Sequence, residues 1–482
     1  MTKYPPLILL LISISITTSN GMEKPIQVHA MQQQDGLARG VVIDKINSRR
    51  DSKKSYALYL PTNYNPNRTF PIIYCFDPAA RGAFAVERFS SAAEKYNYIV
   101  VGSNNSRNGP NEPLTEIVRD LWDETHATLS IDDRRVYVAG FSGGARVAIS
   151  VAFWLKGHVA GVIACAGGFP TSIPLNTPRT FVLFATTGID DFNNPEMQLL
   201  HRTLQSSTPP VRLVVFDGGH TWLPIELVTN ALEWLELQAM KLGLREKDEA
   251  LIEAIMQRTL AQASAAKEQD QYRAYLLYSG LSEDLRGLRD VVDFEKVAEA
   301  LKNSKAVRDG LAREKQIAEG QTRKIENIHS LSASAKGSDD RFESQTALRD
   351  ALSDLRKQSV AVQASTDRTI ARRAMESLFI EFFERSNVAL AKKDFDQAVA
   401  DLTMCTEIQL ESARAFYQLG RAHVLAKDKK DGLRALEMAA EKGFAAVEEL
   451  EAREFDELRN DKRFQEVKKR VEQNQLKKAR GQ

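Results

Sequence analysis

Cysteine is scarce in this chain: three in 482 residues, Cys75, Cys165 and Cys405, set far apart. There is no CxxC pair and no Cys/His spacing of a zinc site, so neither a disulfide framework nor a structural metal is indicated. An excess of one charge is lacking too. Lys plus Arg number 65 against 64 Asp plus Glu, a formal net charge of +1, which argues against a whole-molecule electrostatic footprint for nucleic acid. Long apolar runs are missing except at the N-terminus, where residues 7–16 follow Lys3 and give way to small and polar residues at 17–21. That run is too short to cross roughly 30 Å of hydrocarbon as a helix, and it suits the apolar region of a secretory signal peptide. The expectation is an exported protein, periplasmic or extracellular. The leader would end at residue 21, or as late as residue 30, and the mature form would have no integral membrane span. An uncleaved anchor is the competing reading.

What is present is the composition of an ordinary globular protein, 43% hydrophobic and 27% charged, at a length that calls for at least two domains. Residues 40–243 alternate strand-like and helix-like segments, the signature of a parallel sheet covered on both faces. Short apolar β-branched runs predict strands at 40–46, 55–60, 71–76, 98–102, 135–139, 159–164, 181–185 and 211–216. Amphipathic stretches between them predict helices at 83–96, 114–129, 144–155, 195–204 and 225–242. The expected fold class is therefore α/β, an eight-stranded mostly parallel sheet followed by an all-α region.

Beyond residue 241 glycine and β-branched runs become rare, and Ala, Glu, Lys, Leu and Arg dominate. We expect a helical connecting region at 246–375, with a loop in its polar break at 332–340, and a helical repeat region at 376–472. A shift of 34 places sets Phe382 on Phe416, Ser386 on Gly420, Asp394 on Asp428, Ala398 on Gly432 and Leu402 on Leu436. Small residues recur where paired helices approach, and large apolar ones recur where hairpins stack. With its Leu419-Gly420 pair, this period resembles the tetratricopeptide repeat, with copies at 379–412 and 413–446 and a capping helix at 454–472. The resemblance implies a protein partner. His423 falls on a packing position of the repeat.

The chemistry concentrates in the first region. The predicted strand at 135–139 runs into Gly140-Phe141-Ser142-Gly143-Gly144, and a helix starts at once. This is G-x-S-x-G in a strand, turn, helix context, with the serine held in a sharp turn and glycines where strand and helix must approach. The N–H of Gly143, at the helix N-terminus, points to where an oxyanion would form. A serine hydroxyl needs a base and a group that fixes the base. His220 follows the predicted strand at 211–216 in Asp217-Gly218-Gly219-His220-Thr221-Trp222. Asp191 follows the strand at 181–185, in a Gly188-x-x-Asp191 loop. Both sit at C-terminal strand ends, where an open α/β sheet places its ligand crevice.

On these motifs, from Gly40 to Gly243, the chain resembles an α/β-hydrolase of the compact esterase and polyhydroxybutyrate-depolymerase-like branch that lacks a large lid. The resemblance implies Ser142 as nucleophile, His220 as general base then acid, Asp191 as the group orienting the imidazole, and no cofactor. It also implies a second oxyanion donor after the strand at 71–76, where relatives show His-Gly-Gly or a similar run and this chain has Asp77-Pro78-Ala79-Ala80-Arg81-Gly82. Pro78 has no N–H, so the donor would be Ala79 or its neighbour, with Ala79 the favoured candidate.

Each residue has a plainer reading. Asp190 is the adjacent rival for the acid, though a solvated turn residue otherwise, and Asp217 more simply caps its turn. Trp222 is a candidate substrate contact or a buried anchor of its loop. Arg81 could meet an acidic substrate group or stay in solvent, and Cys75 and Cys165 read as buried strand thiols. His29, His126, His158 and His201 make no metal-binding pair of the zincin kind. The sequence thus supports a serine hydrolase of small or polymeric carboxylic esters with an appended interaction region. A catalytically silent scaffold that binds a protein partner and a serine peptidase are the alternatives.

Overall fold

The computed structural model describes residues 36–109, 113–337 and 341–479. The leader expected at 1–21, or up to 30, lies outside the described residues. No described helix is long and apolar enough to cross a membrane. The chain divides into two compact units, residues 1–318 and 319–482.

The first unit holds eight strands: β1 (Val42–Asn47), β2 (Ser55–Tyr59), β3 (Phe70–Phe76), β4 (Ile99–Ser103), β5 (Ile131–Phe141), β6 (Gly161–Cys165), β7 (Val182–Gly188) and β8 (Val211–Phe216). They form one sheet in the order β1-β2-β4-β3-β5-β6-β7-β8. β1 pairs with β2, and β2 with β4, antiparallel; every later pairing is parallel. This is the eight-stranded, mostly parallel sheet that the strand pattern predicts.

The helices of the crossovers are α1 (Gly82–Tyr96), α2 (Leu114–Thr128), α3 (Gly143–Trp154), α4 (Asn194–Leu204) and α5 (Ile225–Lys241). Successive strand residues face opposite sides, so the sheet supports two cores. On one side Ile72, Val136, Val138, Val162 and Leu183 pack with Leu121 of α2, Ile149 of α3 and Leu200 of α4. On the other, Ile73, Tyr137, Ile163 and Phe184 pack with Phe89 of α1 and Leu232 of α5. Burial on both faces explains why these strands read as continuous apolar runs rather than alternating ones.

Three further helices belong to the same unit: α6 (Glu249–Gln269), α7 (Gln271–Leu285) and α8 (Val292–Lys302). Asp248 and Asp270 cap α6 and α7, each side chain accepting a backbone N–H three residues on. Leu237 and Met240 of α5 join Ile252, Ile255, Leu281 and Leu285 in one apolar cluster, and the indole N–H of Trp234 donates to Asp284 at 2.8 Å. Burial raises the pKa of Asp284 above the ordinary carboxylate value.

A long helix, α9 (Lys305–Gly337), runs from one unit into the next. It corrects the loop expected at 332–340. Helix continues through residue 337, because the Ser-Ala run there has no proline to break it; residues 338–340 lie outside the described residues. The second unit continues with α10 (Arg341–Ser359), α11 (Thr366–Ala391), α12 (Phe395–Ile408), α13 (Ala413–Leu425), α14 (Lys429–Glu441), two short 3-10 turns and α15 (Lys462–Ala479). Ser365, Asp394, Ser412 and Asp428 cap α11 to α14 through their side chains. The 34-residue period thus reappears in the caps, Asp394 and Asp428. Gly420 of α13 and Gly432 of α14 mark the close approach of their helices: a Cβ on Gly420 would lie 2.7 Å from Leu436 Cγ and 3.0 Å from the Gly432 carbonyl. His423 is mostly buried, its Nδ1 3.3 Å from Asp428.

Candidate active site

β5 ends at Phe141 and α3 begins at Gly143, leaving one residue, Ser142, to make the turn. Its backbone sits at φ 53°, ψ −120°, a strained conformation for a residue with a side chain. The surroundings hold it there. The Ser142 N–H donates to the Cys165 carbonyl at 2.8 Å, and its own carbonyl accepts the Ala145 N–H at 3.0 Å. The flanking glycines are required by contact: a Cβ on Gly140 would fall 2.0 Å from the Gly144 carbonyl oxygen, and one on Gly144 2.0 Å from that of Phe76.

The serine meets the other two residues singled out from the sequence. His220 Nε2 lies 2.9 Å from Ser142 Oγ, and His220 Nδ1 lies 2.9 Å from Asp191 Oδ1. Asp191 is fully buried, and burying a carboxylate is costly unless donors surround it. Here they do: the Asn193 N–H donates to Oδ1 at 2.8 Å and the Thr187 hydroxyl to Oδ2 at 3.1 Å. A carboxylate on Nδ1 makes that nitrogen the N–H donor, which leaves Nε2 as the acceptor for the serine hydroxyl. The imidazole is packed between Phe141 and Phe192, with ring centroids 4.7 and 4.3 Å away, and its side chain is only 7% exposed.

Asp190, the rival carboxylate, is not the partner of His220; its backbone N–H donates to the Gly218 carbonyl at 2.8 Å and braces the two loops. Asp217 is exposed. Arg146, four residues after the serine, forms a bidentate pair with Glu196 at 2.7 and 2.8 Å and donates to the Phe169 carbonyl at 2.9 Å, tying the first turn of α3 to α4.

Two expectations need correction. Ala79 does not present a free oxyanion donor, because its N–H is committed to Asp77 Oδ1 at 2.8 Å. Trp222 does not line a crevice: it is 1% exposed, and its indole N–H donates to Asp77 Oδ2 at 2.9 Å. Gly143 stands at the first position of α3, where the backbone N–H has no partner within the helix.

The sequence alone assigned no role to two residues at the site. Asp77 is one, a fully buried carboxylate just after β3. Asn108 is the other: its carboxamide rests on Gly143, so that a Cβ there would lie 2.0 Å from Oδ1 and 2.8 Å from Nδ2. Its backbone N–H donates to the Pro78 carbonyl at 2.8 Å. No motif flags an asparagine in the loop after β4. Arg81 forms a bidentate pair with Asp77 and lies over the Phe84 ring at 4.8 Å, so its cation is already matched.

A cavity of about 580 Å³ lies elsewhere, at the N-terminal ends of β3 and β5. Its lining mixes Arg68, Arg135 and Arg245 with Glu236 and Asp248, and it is at the opposite end of these strands from Ser142. Among the described residues no three His, Cys, Asp or Glu side chains group to hold a metal ion.

No family model matches the chain, and no curated protein matches it. Solved structures do. A substrate-bound fluorophosphonate-binding serine hydrolase of Staphylococcus aureus is 12% identical, with 40% of this chain and 97% of that chain covered and a TM-score of 0.34. A ferulic acid esterase is 15% identical, covering 40% of this chain and 96% of that chain at a TM-score of 0.36. An esterase of the archaeon Pyrobaculum calidifontis is 14% identical, covering 42% and 87% at a TM-score of 0.34. These activities belong to those proteins.

Proposed function

We propose that the protein is a serine hydrolase of carboxylic esters that works through an acyl-enzyme. The observation that carries this reading is the unbroken hydrogen-bonded series Ser142, His220, Asp191, at 2.9 Å for each link. In the proposed reaction His220 Nε2 takes the proton of Ser142 Oγ as the oxygen attacks the ester carbonyl carbon. The Asp191 carboxylate steadies the imidazolium that results. Negative charge on the carbonyl oxygen faces the Gly143 N–H and the N-terminus of α3. Collapse of the tetrahedral intermediate expels the alcohol, which receives its proton from His220. Water, deprotonated by the same imidazole, then releases the acid and restores Ser142.

Small or polymeric esters fit this reading, since among the described residues each connection between parallel strands holds at most one helix. The proposal extends to an exported protein whose second unit, with tetratricopeptide-like hairpins, binds a protein partner; the repeated caps Asp394 and Asp428 support the repeat. A second reading, a catalytically silent scaffold, draws support from the commitment of the Ala79 N–H to Asp77.

Labelling with a fluorophosphonate separates the two. Wild type should be labelled at Ser142 and Ser142→Ala should not. Equal labelling of both, or of neither, would remove the enzymatic reading. A screen of short acyl, feruloyl and polymeric esters against amides then assigns the substrate class.

A further inference from the structure

Asp77 is 0% exposed, and a carboxylate taken out of water is tolerated only when paired and hydrogen-bonded. Its two oxygens meet four donors. Oδ1 accepts the Ala79 N–H and the Arg81 Nε–H, each at 2.8 Å. Oδ2 accepts the Arg81 Nη2–H at 2.8 Å and the Trp222 indole N–H at 2.9 Å. Three of the four come from its own loop. The fourth comes from 145 positions away, two residues after His220.

That distant bond links the two loops on which the proposed chemistry depends. On one side, the segment after β3 carries Pro78 and Ala79, whose backbones hold Asn108 and Arg107, and Asn108 in turn rests on Gly143. On the other side, Trp222 is buried and packed: it meets Phe89 edge-on at 6.1 Å between ring centroids and lies 6.0 Å from Phe141. Phe141 is the ring that also packs on His220 at 4.7 Å. An apolar residue could fill such a site without the desolvation cost, and replacing buried ion pairs by well-packed apolar groups is often neutral or stabilising. A carboxylate adds direction, which packing alone does not.

We propose that Asp77 is a positioning residue for the Ser142–His220–Asp191 site, holding the His220 loop to the segment after β3 through the Trp222 indole N–H. The proposal rests on the serine-hydrolase reading. Asp77 touches neither substrate nor the reacting atoms; it acts by fixing where the imidazole stands. A misplacement of about 1 Å at a reacting centre costs roughly a hundredfold in rate.

The test uses the full-length protein, with p-nitrophenyl acetate turnover and fluorophosphonate inactivation as readouts. The variants are Trp222→Phe, Asp77→Asn and the double variant. Each single change should lower kcat and the inactivation rate roughly ten- to a hundredfold while leaving KM within about twofold, because orientation rather than binding is lost. The double variant should be no slower than the slower single, since both break one link. Circular dichroism and a cooperative thermal transition report folding, and Trp222→Phe decides the matter if Asp77→Asn does not fold. The proposal is overturned if Trp222→Phe keeps wild-type kcat, if KM rises at constant kcat, or if the two effects multiply. A wild type that neither turns over nor labels at Ser142 defeats the hydrolase reading itself, and that outcome is seen before any variant is made.

Discussion

The Asp191 carboxylate accepts from His220 Nδ1 at 2.9 Å with one oxygen and from the Thr187 hydroxyl at 3.1 Å with the other. The imidazole is therefore held by a group that is itself held, at the end of the same strand, β7, that delivers the loop.

Asp191→Asn tests the orienting role. An amide of the same shape can offer its N–H to Nδ1 and so stabilise the wrong tautomer, leaving Nε2 protonated and unable to accept from Ser142. A fall in kcat of about 10⁴-fold is expected, with the circular dichroism spectrum unchanged. Steady-state ester hydrolysis checks it, and a loss below tenfold would contradict the assignment of the acid.

Gly144→Ala tests the turn. Its Cβ would fall 2.0 Å from the Phe76 carbonyl oxygen, which is backbone at the end of β3 and cannot swing aside. Overpacking typically costs about 1–3 kcal/mol, and a clash with fixed backbone falls at the upper end. The thermal unfolding midpoint should drop sharply, and fluorophosphonate labelling should drop with it.

His201 gives the protein an acid-sensitive stability. Burial, and after it the Arg212 and Arg202 charges, lower its pKa from 6.5 to about 4, and its Nε2 has no hydrogen-bond partner among the described residues. Between those values the unfolded chain binds a proton that the folded one refuses, so stability increases with pH through this window. It is lost as pH falls from 6.5 towards 4. Urea unfolding at pH 7 and pH 4.5 should show a smaller acid loss in His201→Gln than in wild type.

Phe455→Ala addresses the second unit. Phe455 is fully buried, with Tyr417 and Phe464 rings 6.2 and 5.7 Å away. Truncation should cost about 3–5 kcal/mol. A lowered urea midpoint for the C-terminal transition of the full-length chain, with ester hydrolysis retained, is the expected result.

Much of this architecture was legible beforehand because it is written in consecutive residues. The short apolar runs at 71–76 and 181–185 are buried on both faces, so their composition alone marks them as strands. Ser142 is legible for the same reason: strand, sharp turn and helix N-terminus span nine neighbouring residues from 138 to 146, and the glycines are where backbone meets backbone. The helical extension through 332–337 was harder, because Ala333 and Ala335 favour helix while the serines and Gly337 weaken it, so the surroundings decide.

Ala79 and Trp222 show where such reasoning stops. Counting N–H groups past Pro78 leads to Ala79, but no count reveals that the Asp77 side chain folds back to take that hydrogen. Trp222 reads equally well as wet or dry until its indole is found on a carboxylate 145 positions away.

The sequence by itself determined the sheet, the turn at Ser142 and the order of the serine, acid and histidine along the chain, because periodicity and turn chemistry act between near neighbours. Only the tertiary structure decided that Asp191 rather than Asp190 faces the imidazole, and that Asp77 binds Trp222. Those are directional hydrogen bonds between separate elements, and their partners are chosen by the packing of the whole unit.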